Sequence, residues 1–133
     1  MICLDTTFLI DLWRNKGAQD HPTVVLLNRF KGEMFAVPCH AVGEFLEGAA
    51  CVYEERFREA IRFLRLFEIG AVGFETAEHY ARIVSDLRNR SLLNSTSKPD
   101  MWIAAWAVEH GSALATRNQK HFNNVTGLRL LAY

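Results

Sequence analysis

The chain is poor in the devices that anchor a protein from outside its own core. Its three cysteines, Cys3, Cys39 and Cys51, are odd in number and show no CxxC spacing, which excludes a disulfide framework and a thiolate zinc site. They are expected to act as small buried hydrophobes. No apolar run approaches the roughly 20 residues that cross a bilayer, and the opening Met1-Ile2-Cys3-Leu4-Asp5 has no basic signal-peptide start. A cytoplasmic protein without membrane contact is therefore expected. Net charge is also absent, with 15 basic against 15 acidic residues. A global basic footprint for nucleic acid is thereby excluded, so RNA would have to be met by a local patch. Acids concentrated in one pocket would leave the remaining surface slightly basic.

What is present fits one globular domain over residues 1–133, since 133 residues, half of them hydrophobic, suffice to bury a core. Ile2-Cys3-Leu4 reads as a short strand, and Asp5-Thr6-Thr7 supplies caps for a helix through Phe8-Leu9-Ile10 to Asn15. Further strands are expected at Met34–Val37, Glu68–Val72, Ala113–Thr116 and Leu128–Leu131. Helices are expected at Val24–Phe30, His40–Ala50, Tyr53–Phe67, Thr76–Arg90 and Pro99–His110, the last ended by Gly111. A polar segment, Ser91–Ser97, separates the last two helices. Strands alternating with helices predict an α/β fold, in which a mostly parallel sheet of four to five short strands lies between two helical layers.

Three acids stand out against this frame. Asp5 lies at the carboxyl end of the first strand, where open parallel sheets bind ligands, although a plain helix N-cap is the alternative. Asp100 falls in line with Ile103, Ala104 and Ala107, a small-residue face that packs closely on the sheet. A capping box with Ser97 is its structural alternative. In the helix after Pro38, Glu44 flanks the stripe Ala41, Val42, Phe45, Leu46 and Ala49, whereas Glu47 points away from it and belongs to the solvated face. Carboxylates brought together repel unless protonated or bridged by a cation. Hard oxygen donors without a histidine or thiolate cluster point to Mg²⁺ or Mn²⁺, and such a centre suits phosphodiester hydrolysis. Asp86 is a further candidate for the pocket rim, and His121 is expected to be a surface or packing residue rather than a ligand.

Leu4-Asp5-Thr6, Ala41-Val42-Gly43-Glu44, Asp100 with Ile103-Ala104-Ala105, Thr116-Arg117-Asn118, and the closing Phe122 and Gly127-Leu128-Arg129 together resemble a PIN domain of the VapC toxin type, across essentially the whole chain. The resemblance implies a Mg²⁺- or Mn²⁺-dependent endoribonuclease, the toxin half of a bacterial or archaeal toxin–antitoxin pair. Such proteins are commonly homodimers silenced by a cognate antitoxin, and often cut tRNA or rRNA. Carried over by position, Asp5, Glu44 and Asp100 match the acidic metal-site residues, and Thr6 and Thr116 match hydroxyl residues beside them. Many PIN domains have a fourth acid where this chain has Asn118. An amide there can orient water but adds no charge, so one metal is expected in the resting state.

Arg88, Arg90, Lys98 and Arg117 bracket the site in the topology and are the expected RNA contacts. The row Arg58, Arg62, Arg65 is expected to be salt-bridged to Glu54 and Glu59, and Trp13, Trp102 and Trp106 to be packing residues. Phe63, Leu66 and Phe67 widen the apolar stripe of their helix beyond what one core needs, so part of that surface is expected to meet another chain. Two other classes compete with the nuclease. One is a degenerate PIN domain that binds RNA or protein without cutting. The other is a receiver-like regulatory domain, disfavoured because it wants paired acids after the first strand and a lysine after the last.

Overall fold

The computed structural model describes residues 1–93 and 97–133. The chain runs β1 (Ile2–Leu4), α1 (Thr6–Arg14), α2 (Pro22–Arg29), β2 (Phe35–Pro38), α3 (Cys39–Ala50), α4 (Glu54–Leu64), β3 (Glu68–Gly70), α5 (Phe74–Asn89), α6 (Lys98–Glu109), β4 (Ala113–Ala115), α7 (Gln119–Phe122) and β5 (Arg129–Leu131). The strands form one sheet in the order β3-β2-β1-β4-β5. Every pairing in it is parallel. Residues of β1 and β4 are buried without alternation, as strands covered on both faces must be. Sheet and helices thus make the expected three-layer α/β/α arrangement.

The strand order decides where a site belongs. From β1 the chain winds outward through β2 to β3, then crosses back to lay β4 on the other side of β1. The direction of winding reverses between β1 and β4, and a crevice opens there beyond the carboxyl ends of the strands. Register places Leu4 beside Ala115. Asp5 and Thr116, the next residue of each strand, therefore emerge side by side.

Local sequence explains most boundaries. Asp5 caps α1 by accepting the Phe8 N–H at 2.7 Å. Helix α6 closes in a Schellman turn, with Gly111 at φ 58° and the Ser112 and Gly111 N–H groups donating to Ala107 and Val108. Helix α2 starts earlier than expected, at Pro22, because proline suits a first turn and the His21 ring caps it. Helix α4 stops at Leu64, short of Phe67, as the chain turns into β3. The four-residue α7 escaped the periodicity reading because it is barely one turn long.

Two cysteines differ from expectation. Cys3 is buried in β1, but Cys39 and Cys51 are exposed, because they bracket α3 at its first residue and just past its last turn. The expected segment Ser91–Ser97 lies partly outside the described residues, at Asn94, Ser95 and Thr96. Trp106 is core and its Nε1 donates to the Ala71 carbonyl at 3.0 Å. Trp102 stacks between Tyr80 and His40, and Trp13 packs edge-on against Phe45 and Phe63. All three tryptophans thus pack as expected. Among the described residues no helix is long and apolar enough to cross a membrane.

Candidate active site at the switch point

Asp5 is the centre of the crevice. Its carboxylate is 3% exposed, yet it is densely solvated by protein. The Thr116 hydroxyl donates to Oδ2 at 2.6 Å, the Thr7 hydroxyl reaches both oxygens at 2.8 and 2.9 Å, and the Phe8 N–H reaches Oδ1. Burial pushes the Asp5 carboxyl above its ordinary range. The hydrogen bonds from Thr116, Phe8 and Thr7 pull it back, and the charge of Asp100 adds to the rise. Asp100 therefore lies within electrostatic reach of Asp5, carried there in the first turn of α6.

Glu44 joins the same end of the sheet through Thr6, whose hydroxyl donates to its Oε2. Thr6 is the residue after Asp5, so α1 supplies a donor to one acid while its cap is another. Glu47 is exposed, as the helical projection predicts.

Asp100 does not form the alternative capping box, because the Ser97 side chain makes no cap hydrogen bond. Instead the His121 Nδ1–H donates to Asp100 Oδ2 at 2.7 Å. His121, expected as a surface or packing residue, is thus an immediate partner of a site acid, and α7 is what brings it there. Asn118 caps α7 without a side-chain cap bond and is exposed, while its N–H donates to Thr116 Oγ1 at 2.9 Å.

The donor set is three carboxylates with hydroxyls among them, which suits a hard divalent cation better than zinc. Each carboxylate is at present satisfied by protein donors. Among the described residues no three His, Cys, Asp or Glu side chains converge closely enough to form a ready cage. Each acid has its own donors, Thr7 and Thr116 for Asp5, Thr6 for Glu44 and His121 for Asp100.

The remaining candidates are less central. Arg117 binds Asp11 at 2.8 and 3.0 Å, and Tyr133 also donates to Asp11 at 3.1 Å. Arg90 is tied to Asp86 at 3.4 Å and to the Asn124 carbonyl at 2.6 Å. That pairing occupies Asp86 on α5, where it also accepts from Thr126. Arg88 and Lys98 are exposed. Asp11 is buried and escaped the sequence reading, although it sits three residues from Phe8 on the buried face of α1. Its place in line with Phe8 on that face is the signal that marks it, as alignment with Ile103 and Ala104 marks Asp100.

The fold and site define a parallel α/β domain with a buried carboxylate at its switch point, and comparison with known proteins narrows the class. The PIN domain family matches residues 2–128, and the chain belongs to that family. It is 32% identical to a protein of Rickettsia felis named Ribonuclease VapC1, over 98% of this chain and 94% of the relative. It is 27% identical to Ribonuclease VapC1 of Methanocaldococcus jannaschii, over 99% of this chain and 86% of that one. Among solved structures, VapBC2 of Rickettsia felis bound to a promoter DNA fragment superposes with TM-score 0.84 at 20% identity, covering 100% of this chain and 99% of that chain. DNA-bound VapBC of Salmonella typhimurium also gives 0.84, at 22% identity, covering 99% and 98%. At those identities the superpositions establish the PIN fold.

Proposed function

We propose that this protein is a VapC-type endoribonuclease toxin that hydrolyses RNA phosphodiester bonds with Mg²⁺ or Mn²⁺, and that a cognate antitoxin restrains it. The observation that carries the reading is the buried Asp5 carboxylate at the switch point, in electrostatic reach of Asp100 and one residue from the hydroxyl that holds Glu44. The name Ribonuclease VapC1 on a relative matched over nearly its full length supports it. Asp5, Glu44 and Asp100 would hold the cation. When bound, it supplies an activated water and neutralises charge on the phosphate.

The chain's own groups do the positioning. Thr7 and Thr116 fix the plane of the Asp5 carboxylate, Thr6 orients Glu44, and His121 holds Asp100 through Oδ2. The exposed Asn118 side chain makes no cap bond to α7 and can orient water. Substrates of the tRNA or rRNA class and a homodimeric assembly in the cytoplasm complete the proposal. The exposed Leu66 beside the half-buried Phe67 supports a protein partner at the turn that follows α4.

Purified protein incubated with RNA and Mn²⁺, with and without EDTA, tests the reading. Cleavage that EDTA stops is expected, and Asp5→Asn or Asp100→Asn should lower it by about 100-fold or more, a loss of about 2.7 kcal/mol in transition-state stabilisation, while circular dichroism stays native. Full activity in either variant would overturn the assignment. Tight RNA binding without cleavage would instead identify a non-cutting PIN domain.

A further inference from the structure

The candidate RNA contacts chosen from topology include two arginines that the fold has already engaged, Arg90 and Arg117. A different pair borders the site. A cavity of about 220 Å³ opens beside Glu44 between α1, α3 and the start of α4, with Arg14 and Arg56 among its lining residues and Ile10, Phe45 and Val52 as apolar wall. Arg14 lies in the last turn of α1 and makes no ion pair among the described residues. Arg56 lies over the Trp13 ring, 4.7 Å from its centroid, and touches Glu59 only loosely at 3.6 Å. By contrast Arg58 and Arg62 on the same helix are tied to Glu54 and Glu55 at 3.1 and 2.8 Å.

We infer that this cavity is a substrate subsite, which takes the nucleotide flanking the scissile bond of a single-stranded RNA and binds its phosphate with Arg14 and Arg56. The inference rests on the nuclease reading above and deepens it. Charge complementarity selects the occupant. Two guanidiniums in one cavity lining match the planar, bidentate needs of a phosphate. The ring of Trp13 holds Arg56 in place by cation–π contact, so little side-chain freedom remains to be lost on binding. The volume is below that of a pocket for a drug-sized ligand, which limits it to about one nucleotide. Glu44, the acid held by Thr6, lines the same cavity as the arginines.

Binding of a fluorescently labelled single-stranded RNA oligonucleotide, measured in EDTA at a series of salt concentrations, reads this subsite without any cleavage. Wild type, Arg14→Ala, Arg56→Ala and the double variant are compared, with Arg58→Ala as the control for removal of an exposed, salt-bridged cation. Each of the first two substitutions should weaken binding several-fold and flatten the plot of log K against log salt by about 0.7 for every phosphate the variant no longer neutralises. Arg14→Lys should keep most of the slope, and Arg58→Ala should keep all of it. In Mn²⁺ the double variant should show a raised KM with kcat nearly unchanged. A wild-type salt slope in the double variant, with the protein still folded, would overturn the subsite while leaving the nuclease intact. A wild type that never cleaves, yet loses slope in the variants, would sink the nuclease reading and keep the RNA site.

Discussion

The Asp5 carboxylate is nearly sealed from solvent and still meets three protein donors. Burial outweighs those donors, so its pKa rises in the folded chain. The linkage then has a definite sign. A carboxyl whose folded pKa exceeds its unfolded value binds more protons in the native state, so its contribution to stability is gained as pH falls through the raised value and lost above it. In EDTA, wild type should therefore gain stability relative to Asp5→Asn as pH drops from neutral toward about 4, measured by urea denaturation at each pH. An unchanged or opposite difference would show that the hydrogen bonds dominate. Asp11 depends on its partners. Its side chain is 10% exposed and receives Arg117 and Tyr133, so Arg117→Ala should cost about 1–2 kcal/mol, because an acid with little access to water loses its charged partner. At this scale, position on strand ends and helix faces singled out Asp5, Glu44 and Asp100 as candidates. His121 stayed hidden, because its contact with Asp100 spans 21 residues and depends on how α6 and α7 meet.

Helix ends and close approaches decide the behaviour of elements. Helix α5 finishes with Ser91 at φ 60°, its N–H donating to Arg88 and that of Leu92 to Leu87. This is the turn that Gly111 makes after α6, built on a residue with a Cβ. Ser91→Gly should stabilise the protein by about 0.5–1 kcal/mol, the strain relieved less the added freedom of the unfolded chain, as read from the denaturation midpoint. Gly70, ending β3, has the opposite requirement. A Cβ there would lie 2.5 Å from the Trp106 ring. Gly70→Ala should destabilise by about 1–3 kcal/mol through overpacking. Periodicity located the long helices and all five strands to within a few residues, since burial on one face or both writes itself directly into the pattern. It could not foresee the Gly70–Trp106 contact, which arises only when α6 lies across the sheet edge.

For the whole molecule, the reversal of winding between β1 and β4 gathers residues from distant segments at one edge. The acids come from the end of β1, from α3 and from α6, and threonines compensate the lost hydration of Asp5 and Glu44 while His121 partners Asp100. Zero net charge is consistent with this division, because acids drawn into the crevice leave the remaining surface slightly basic. The three-layer fold was legible in the alternation of elements. The spacing between the acids was not, because it depends on rotamers and hydroxyl partners that no local pattern encodes.

Calorimetric titration of Mn²⁺ into metal-free protein tests the central claim that Asp5, Glu44 and Asp100 act as one cation site. Wild type should bind, and Asp5→Asn, Glu44→Gln and Asp100→Asn should each weaken binding by about tenfold or more, about 1.4 kcal/mol, while Glu47→Gln on the exposed face of the same helix changes nothing. Equal affinity in all five proteins, or a loss in Glu47→Gln as large as in Glu44→Gln, would contradict it.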